Sequence, residues 1–237
     1  MRLDQYLTKN SKIQSRNKAT ELIKSNKIKV NGVLISKPSF IIENPNLVNI
    51  QILEEDFFVS RAAYKLKYFL DEINIHIKNK IALDIGSSTG GFTQILLLNE
   101  VKNVYCIDVG SNQLHEKIKE NKKIKFFENT DIRDFESNEN FEIVTCDVSF
   151  ISIHNILNDI NRLAKDKIII LFKPQFEVGK NVKRDKKGVV KDKNAINLAR
   201  KRFIDETIHL NWKLIYNSKS KLQGKDGNEE ELFYFSK

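Results

Sequence analysis

Four separated fragments of the chain carry charged or polar groups where strands end or helices begin. They are Ser60-Arg61-Ala62-Ala63-Tyr64-Lys65-Leu66, Cys146-Asp147-Val148-Ser149-Phe150, Lys173-Pro174-Gln175-Phe176-Glu177 and Gly227-Asn228-Glu229-Glu230. Asp147 and Lys173 each directly follow an apolar run of core-strand length, so both fall at the carboxyl edge of a parallel sheet, where open α/β sheets bind ligands. Lys65 sits on a helix-like run and Glu230 just before the last strand-like run. A lysine acts as a general base only where its pKa drops several units from about 10.4. A nearby cation or burial does this, whereas a carboxylate opposes it. Lys173 is therefore the candidate base or hydroxyl-positioning group, with Asp147 and Glu230 expected to orient the lysines. Taken without their neighbours, four scattered charges would be read as two surface ion pairs.

A second constellation is the run Ala82-Leu83-Asp84-Ile85-Gly86-Ser87-Ser88-Thr89-Gly90-Gly91-Phe92, a buried strand, a glycine-rich turn and a helix start. Glycines suit a sharp turn whose backbone must approach a ligand closely. A triphosphate loop is excluded because Phe92 stands where its lysine would be. A dinucleotide loop is disfavoured because Ser88 replaces the second glycine. Asp84 ends this strand, Asp108 ends the next, and Asp131 follows the third, an array that repels pyrophosphate but suits a cationic nucleoside. S-adenosyl-L-methionine, with its sulfonium and ammonium groups, is the expected cofactor. Its contacts are expected at Asp84, Gly86, Ser87, Ser88, Thr89, Gly90, Gly91, Phe92 and Asp108, with Asp131 and Ile132 at the adenine. Asp131 reads equally as a surface turn residue, and Phe126 and Phe127 read first as buried strand residues.

Strand-like runs at Ile81–Ile85, Asn103–Ile107, Ile124–Phe127, Phe141–Cys146, Lys167–Phe172, Lys213–Asn217 and Leu232–Phe235 must position these groups. They alternate with helix-like runs at Ala62–Ile73, Phe92–Leu98, Leu114–Glu120, Ser152–Leu163 and Ala195–Leu210. That alternation predicts an α/β domain, a Rossmann-like sheet with helices on both faces. The polar, Lys-rich stretch 177–192 is expected as a mobile loop near the strand ends.

The N-terminal stretch differs. Arg2 to Lys37 holds nine Lys or Arg against two acids. Leu3, Tyr6 and Leu7 recur at helical spacing, as do Ala19, Leu22 and Ile23, and Ser15 stands at the N-cap of the second helix, with Lys24 in its last turn. Lys29-Val30-Asn31-Gly32-Val33 reads as strand, tight turn and strand, because Asn-Gly supplies positive φ angles. Arg2, Arg16, Lys18, Lys24, Lys27 and Lys29 are the candidate phosphate contacts. The module is expected to end at the acidic cluster Glu54-Glu55-Asp56, followed by the apolar connector Phe57-Phe58-Val59. The expected boundaries are 1–55, a connector at 56–60, and 61–237.

Two resemblances join these readings. Arg2-Leu3-Asp4, Ser15-Arg16, Ala19, Leu22-Ile23, Val30-Asn31-Gly32 and Lys37-Pro38-Ser39 together resemble the S4 RNA-binding domain, a small α+β fold; Asn26 stands where that family usually has glycine. The strings around Lys65, Asp147, Lys173 and Glu230 resemble the Lys-Asp-Lys-Glu tetrad of FtsJ-like 2′-O-methyltransferases. More narrowly they resemble the TlyA subgroup, which joins both domains. The resemblance implies methylation of a cytidine ribose in ribosomal RNA, on the large subunit for a chain this short, with rRNA or a ribosomal subunit as partner. Glu229-Glu230-Glu231 departs from the family's single Glu. Spacing from Asn228 selects Glu230, but a one-residue slip would turn its side chain to the other face.

Bulk properties agree with this and narrow the rivals. The net charge of +9 at 237 residues favours a polyanionic partner, and 41% hydrophobic residues support a packed core. Met1 to Asn10 lacks an apolar core, so no signal peptide is expected, and the apolar runs are too short to span a bilayer. Cys106 and Cys146 read as reduced core thiols, and the four histidines lack ligand spacing, so no metal is expected. A cytoplasmic, monomeric protein is expected. The rivals are an S4-linked pseudouridine synthase, disfavoured by the Asp84–Gly91 loop, and an S4-bearing ribosome-associated factor without turnover. A membrane-active haemolysin, a historical label of the family, finds no suitable segment.

Overall fold

The computed structural model describes residues 1–10, 13, 15–53 and 58–237. The chain forms two compact units, Met1–Phe57 and Phe58–Lys237. The acidic cluster Glu54-Glu55-Asp56 and Phe57 lie outside the described residues.

The first unit packs α1 (Leu3–Asn10) and α2 (Arg16–Lys24) on a small antiparallel sheet ordered β2 (Val33–Leu34), β1 (Ile28–Val30), β3 (Ile50–Ile52). Leu3, Leu7, Ala19, Leu22, Ile23 and Ile28 form its core, the spacing expected of two amphipathic helices. Ser15 caps α2 by accepting from the Lys18 N–H at 3.2 Å. Asn31 and Gly32 adopt φ of 50° and 82°, the mirror-image turn that joins β1 and β2, and Asn26 takes φ 57° after α2. The strand β3 was not anticipated.

The second unit holds seven strands: β4 (Ile81–Ile85), β5 (Asn103–Ile107), β6 (Ile124–Phe127), β7 (Phe141–Cys146), β8 (Ala164–Phe172), β9 (Lys213–Lys219) and β10 (Glu231–Ser236). Their order is β6-β5-β4-β7-β8-β10-β9; the first five are parallel, and β10 runs antiparallel to both its neighbours. Side chains alternate across the sheet. Ala82, Val104, Ile143, Ile169, Leu171 and Leu232 face α3 (Arg61–Glu72) and α4 (Gly91–Leu98). Leu83, Val144, Ile168, Ile170, Phe233 and Phe235 face α6 (Leu157–Leu163) and α8 (Lys193–His209).

Several expected elements change length. The helix α5 is only Glu116–Lys119, because the His115 ring accepts from the Lys117 N–H and starts it late. The helix expected from Ser152 is broken into a 3-10 turn, Ile153–Asn155, and α6. Phe58, expected in a connector, is buried within the second unit, edge-on to Tyr64 with centroids 4.7 Å apart, and the Val59 N–H donates to Gln94 Oε1. The stretch 177–192 is cross-braced instead of loose. It follows a short helix, α7 (Pro174–Glu177), and the Arg184 guanidinium donates to the carbonyls of Gln175, Gly179 and Val182. Cys106 and Cys146 are buried and unbridged. No described helix is long and apolar enough to cross a membrane, and no described His, Cys, Asp and Glu group could hold a metal.

Asp4 is nearly fully buried, and Arg2 and Arg16 both donate to its carboxylate at 3.0 Å. The hydrogen bonds from Arg2, and then from Arg16, hold its pKa down at about 2. Its contribution to stability is thus complete above about pH 4 and lost as the pH falls through about 2. Asp4→Asn is expected to speed amide exchange along α1 at neutral pH and to remove this part of the acid sensitivity. Unchanged exchange would show that the arginines do not brace the helix.

Candidate active site

The sheet brings the four fragments to one edge. β7 and β8 are parallel neighbours, so Asp147 and Lys173, each following its strand, emerge side by side. β10 runs the other way, and the pairing of Glu231 with Phe172 sets Glu230 at that same edge. Alternation along β10 then sends the three glutamates to different partners. Glu230 shares the Leu232 face and pairs with buried Lys65 of α3. Glu231 turns to the opposite face and pairs with Arg200 of α8, and exposed Glu229 pairs with Lys219 at 2.7 Å.

Two buried ion pairs result. The Lys65 ammonium meets Glu230, which also accepts from Gln175 Nε2 at 3.3 Å. Lys173 Nζ stands 2.5 Å from Asp147 Oδ1 and donates to Ser149 Oγ at 2.8 Å. Lys65, Lys173 and Glu230 are buried, and Asp147 is half-buried. Burial pushes the Asp147 carboxyl up; Lys173 and then Lys65 pull it down, and Glu230 adds to the rise. The tetrad therefore acts as one electrostatic unit.

Beside it lie two adjoining cavities that share Gly86, Ser88, Asp147 and Ser149. The larger, about 290 Å³, is walled by Ile107, Val109, Ile132, Val148 and Ile151, with Asp108 and Asp131 as acids besides Asp147. The smaller, about 170 Å³, holds Ser87, Thr89, Gly91 and Phe92 together with Lys173. Ser60 and Ser87 line it too, and their buried hydroxyls have no hydrogen-bond partner among the described residues. Asp108 accepts from the Ser88 and Gly110 N–H groups, both at 2.7 Å. Asp131 is partly exposed and bonded to Arg133.

Two expected contacts do not line either cavity. Asp84 is fully buried beneath the turn, accepting from Thr93 Oγ1 at 2.6 Å and Thr145 Oγ1 at 2.8 Å. Gly90 faces the other way, since a Cβ there would lie 2.3 Å from Ile118 and 2.7 Å from Leu114. Ser60, Gln113, Thr130, Ser149 and Gln175 were missed as site residues. Ser60, Ser149 and Gln175 lie within strings already singled out, so proximity in sequence was a usable signal for them.

The expected phosphate contacts fall in the first unit. Arg2 and Arg16 are gathered on Asp4, Lys24 and Lys27 are exposed, Lys29 is half-buried, and Lys18 lies 3.4 Å from Glu21.

An open α/β sheet with one antiparallel strand inserted near its edge, a glycine turn between acid-tipped strands, and a separate basic module define an S4-linked methyltransferase-type protein. Models of the FtsJ-like methyltransferase match residues 58–237, and those of the S4 domain match residues 1–48. The 23S rRNA (cytidine-2′-O)-methyltransferase TlyA of Campylobacter jejuni is 49% identical, over the whole of both chains. The 16S/23S rRNA (cytidine-2′-O)-methyltransferase TlyA of Mycobacterium tuberculosis is 31% identical, over 98% of this chain and 88% of its own. A solved structure described as a hemolysin from Lactococcus lactis is 32% identical with a TM-score of 0.72, over 76% of this chain and 88% of that one. The chain belongs to the TlyA family of FtsJ-like methyltransferases.

Two predictions follow from this geometry. At φ 73°, a Cβ on Gly86 would stand 3.0 Å from the Asp147 carbonyl oxygen. Gly86→Val should therefore weaken S-adenosylmethionine binding by about tenfold or more in calorimetry; unchanged affinity would move the donor site elsewhere. Burial raises Asp84 to about 6. The folded form then keeps a proton that the unfolded chain releases, so stability should fall as the pH rises from about 4 to about 6. Asp84→Asn should flatten that slope in urea unfolding, and a persistent slope would assign it to another group.

Proposed function

We propose that this protein transfers a methyl group from S-adenosylmethionine to the 2′-hydroxyl of a cytidine in large-subunit ribosomal RNA. The observation that carries this reading is the meeting of two buried lysine–carboxylate pairs beside a cavity with apolar walls and an acid at the second strand tip. The relative that matches along its full length is named for this reaction on 23S rRNA. The S4 domain, with Arg2 and Arg16 preset on Asp4, supplies the RNA-binding module.

The residues fit the cofactor. Asp108 would take the ribose, Asp131 and Ile132 the adenine rim, and Gly86 the close backbone approach, with Ser60 and Ser87 offering their unpartnered hydroxyls. When bound, S-adenosylmethionine supplies an electrophilic methyl group next to a positive sulfur. The chain's own task is to hold the ribose oxygen in line and to accept its proton.

Lys173 has three N–H directions, turned to Asp147 Oδ1, to Ser149 Oγ and, at 3.4 Å, to the Asp147 carbonyl; the hydroxyl oxygen would displace the last and longest of these. A Lys173 amine that has released its proton takes the hydroxyl proton, and Asp147 orients it for that step. Lys65 and Glu230 balance each other, so neither stands as an unpaired buried charge beside the reacting groups.

Lys173→Arg should lower kcat by about 100-fold or more, because Arg does not release its proton. Its S-adenosylmethionine affinity should stay close to wild type. The assay is ribose-methylation mapping on ribosomal RNA, and near-normal turnover would remove Lys173 from the proton path.

A further inference from the structure

The two segments that carry Asp147 and Lys173 are fastened to each other in register. Asp147 and Ser149 meet Lys173, and the Phe150 ring lies 5.5 Å from that of Phe176. Last, Glu177 accepts from Ser152 Oγ at 2.7 Å and from the Ile153 N–H at 3.0 Å. Between these rungs Phe150 is held at φ 68° and is 93% exposed. A phenylalanine in that backbone region persists only where its surroundings impose it.

The Glu177 side chain is 2% exposed, and burial pushes its carboxyl up. Such a carboxylate is costly unless its hydrogen bonds are used. Behind it, His154 Nε2 lies 3.9 Å away, and the other ring nitrogen contacts Glu206 of α8, which also accepts from Arg202 at 3.1 Å. Glu177 touches neither cavity and none of the tetrad.

We infer that Glu177 is a positioning residue: by gripping Ser152 and Ile153, it fixes the loop 148–151 against Lys173. That loop supplies Ser149 to Lys173 and Val148, Phe150 and Ile151 to the larger cavity. Releasing the grip lets the loop relax from its left-handed kink, which moves Ser149 off the lysine and opens the cavity wall. The inference rests on the proposed function for its turnover readout but not for its binding readout.

The test compares Glu177→Ala, Glu177→Gln and Ser152→Ala in the full chain, below the measured melting temperature of each. Glu177→Ala should lower kcat about tenfold and weaken S-adenosylmethionine binding about fivefold. Glu177→Gln keeps an acceptor for the Ile153 N–H and should recover most of both. Ser152→Ala, which removes one arm only, should fall between, and it decides the matter if Glu177→Ala does not fold. Wild-type binding and turnover in the alanine variants, or a glutamine variant no better than alanine, would overturn the assignment. A wild-type chain that binds the donor but leaves ribosomal RNA unmethylated would overturn the proposed function instead, and calorimetry alone would then judge Glu177.

Discussion

Burying charge is the constraint around which the cluster of Lys65, Asp147, Lys173 and Glu230 is built. Two ammonium groups and two carboxylates stand at one sheet edge with little water, and each ion taken alone would cost several kcal/mol. The four are tolerable because they are matched in pairs, Lys65 with Glu230 and Lys173 with Asp147. Matching in turn requires the strands to end near one another: the last residue of β7, Cys146, pairs with Ile170, two residues before the end of β8, and Glu231 pairs with Phe172. The register of β7 on β8, and of β8 on β10, is therefore set by electrostatics at the edge as well as by apolar packing beneath it.

The same need explains the one antiparallel strand. A parallel strand would present its carboxyl end at this edge and would need a long crossover to return. β10 arrives from β9 through a connection that ends in Asn228 and Glu230, and the Asn228 side chain accepts from Val190 N–H. The Lys-rich stretch, the last hairpin and the tetrad are thereby joined by hydrogen bonds through Gln175, Arg184 and Asn228.

Much of this was readable from residues alone. The strands β4, β5, β6 and β7 were bounded as found, because continuous apolar runs between polar turns leave little choice. The alternation Val48, Ile50, Ile52 did signal β3, but three strand residues are too short a run to outweigh the loop composition around them. Asp84 looked like a ligand contact because it ends a strand; what withdraws it is Thr93 from α4 and Thr145 from β7, partners that only the tertiary fold brings near. The choice among Glu229, Glu230 and Glu231 needed the direction of β10, and the grip of Glu177 on Ser152 spans two segments that no local pattern connects. Local periodicity thus carries the elements, and long-range pairing carries the roles.

The insertion of β10 between β8 and β9 also orders events in time. A growing chain emerges with Lys65 early and Glu230 more than 160 residues later. Until that late strand is in place between β8 and β9, Lys65 lacks its ion-pair partner Glu230. The larger cavity draws all its walls from residues 85–156, whereas the four-residue cluster is complete only with residue 230, so the pocket is encoded well ahead of the last of the charges beside it.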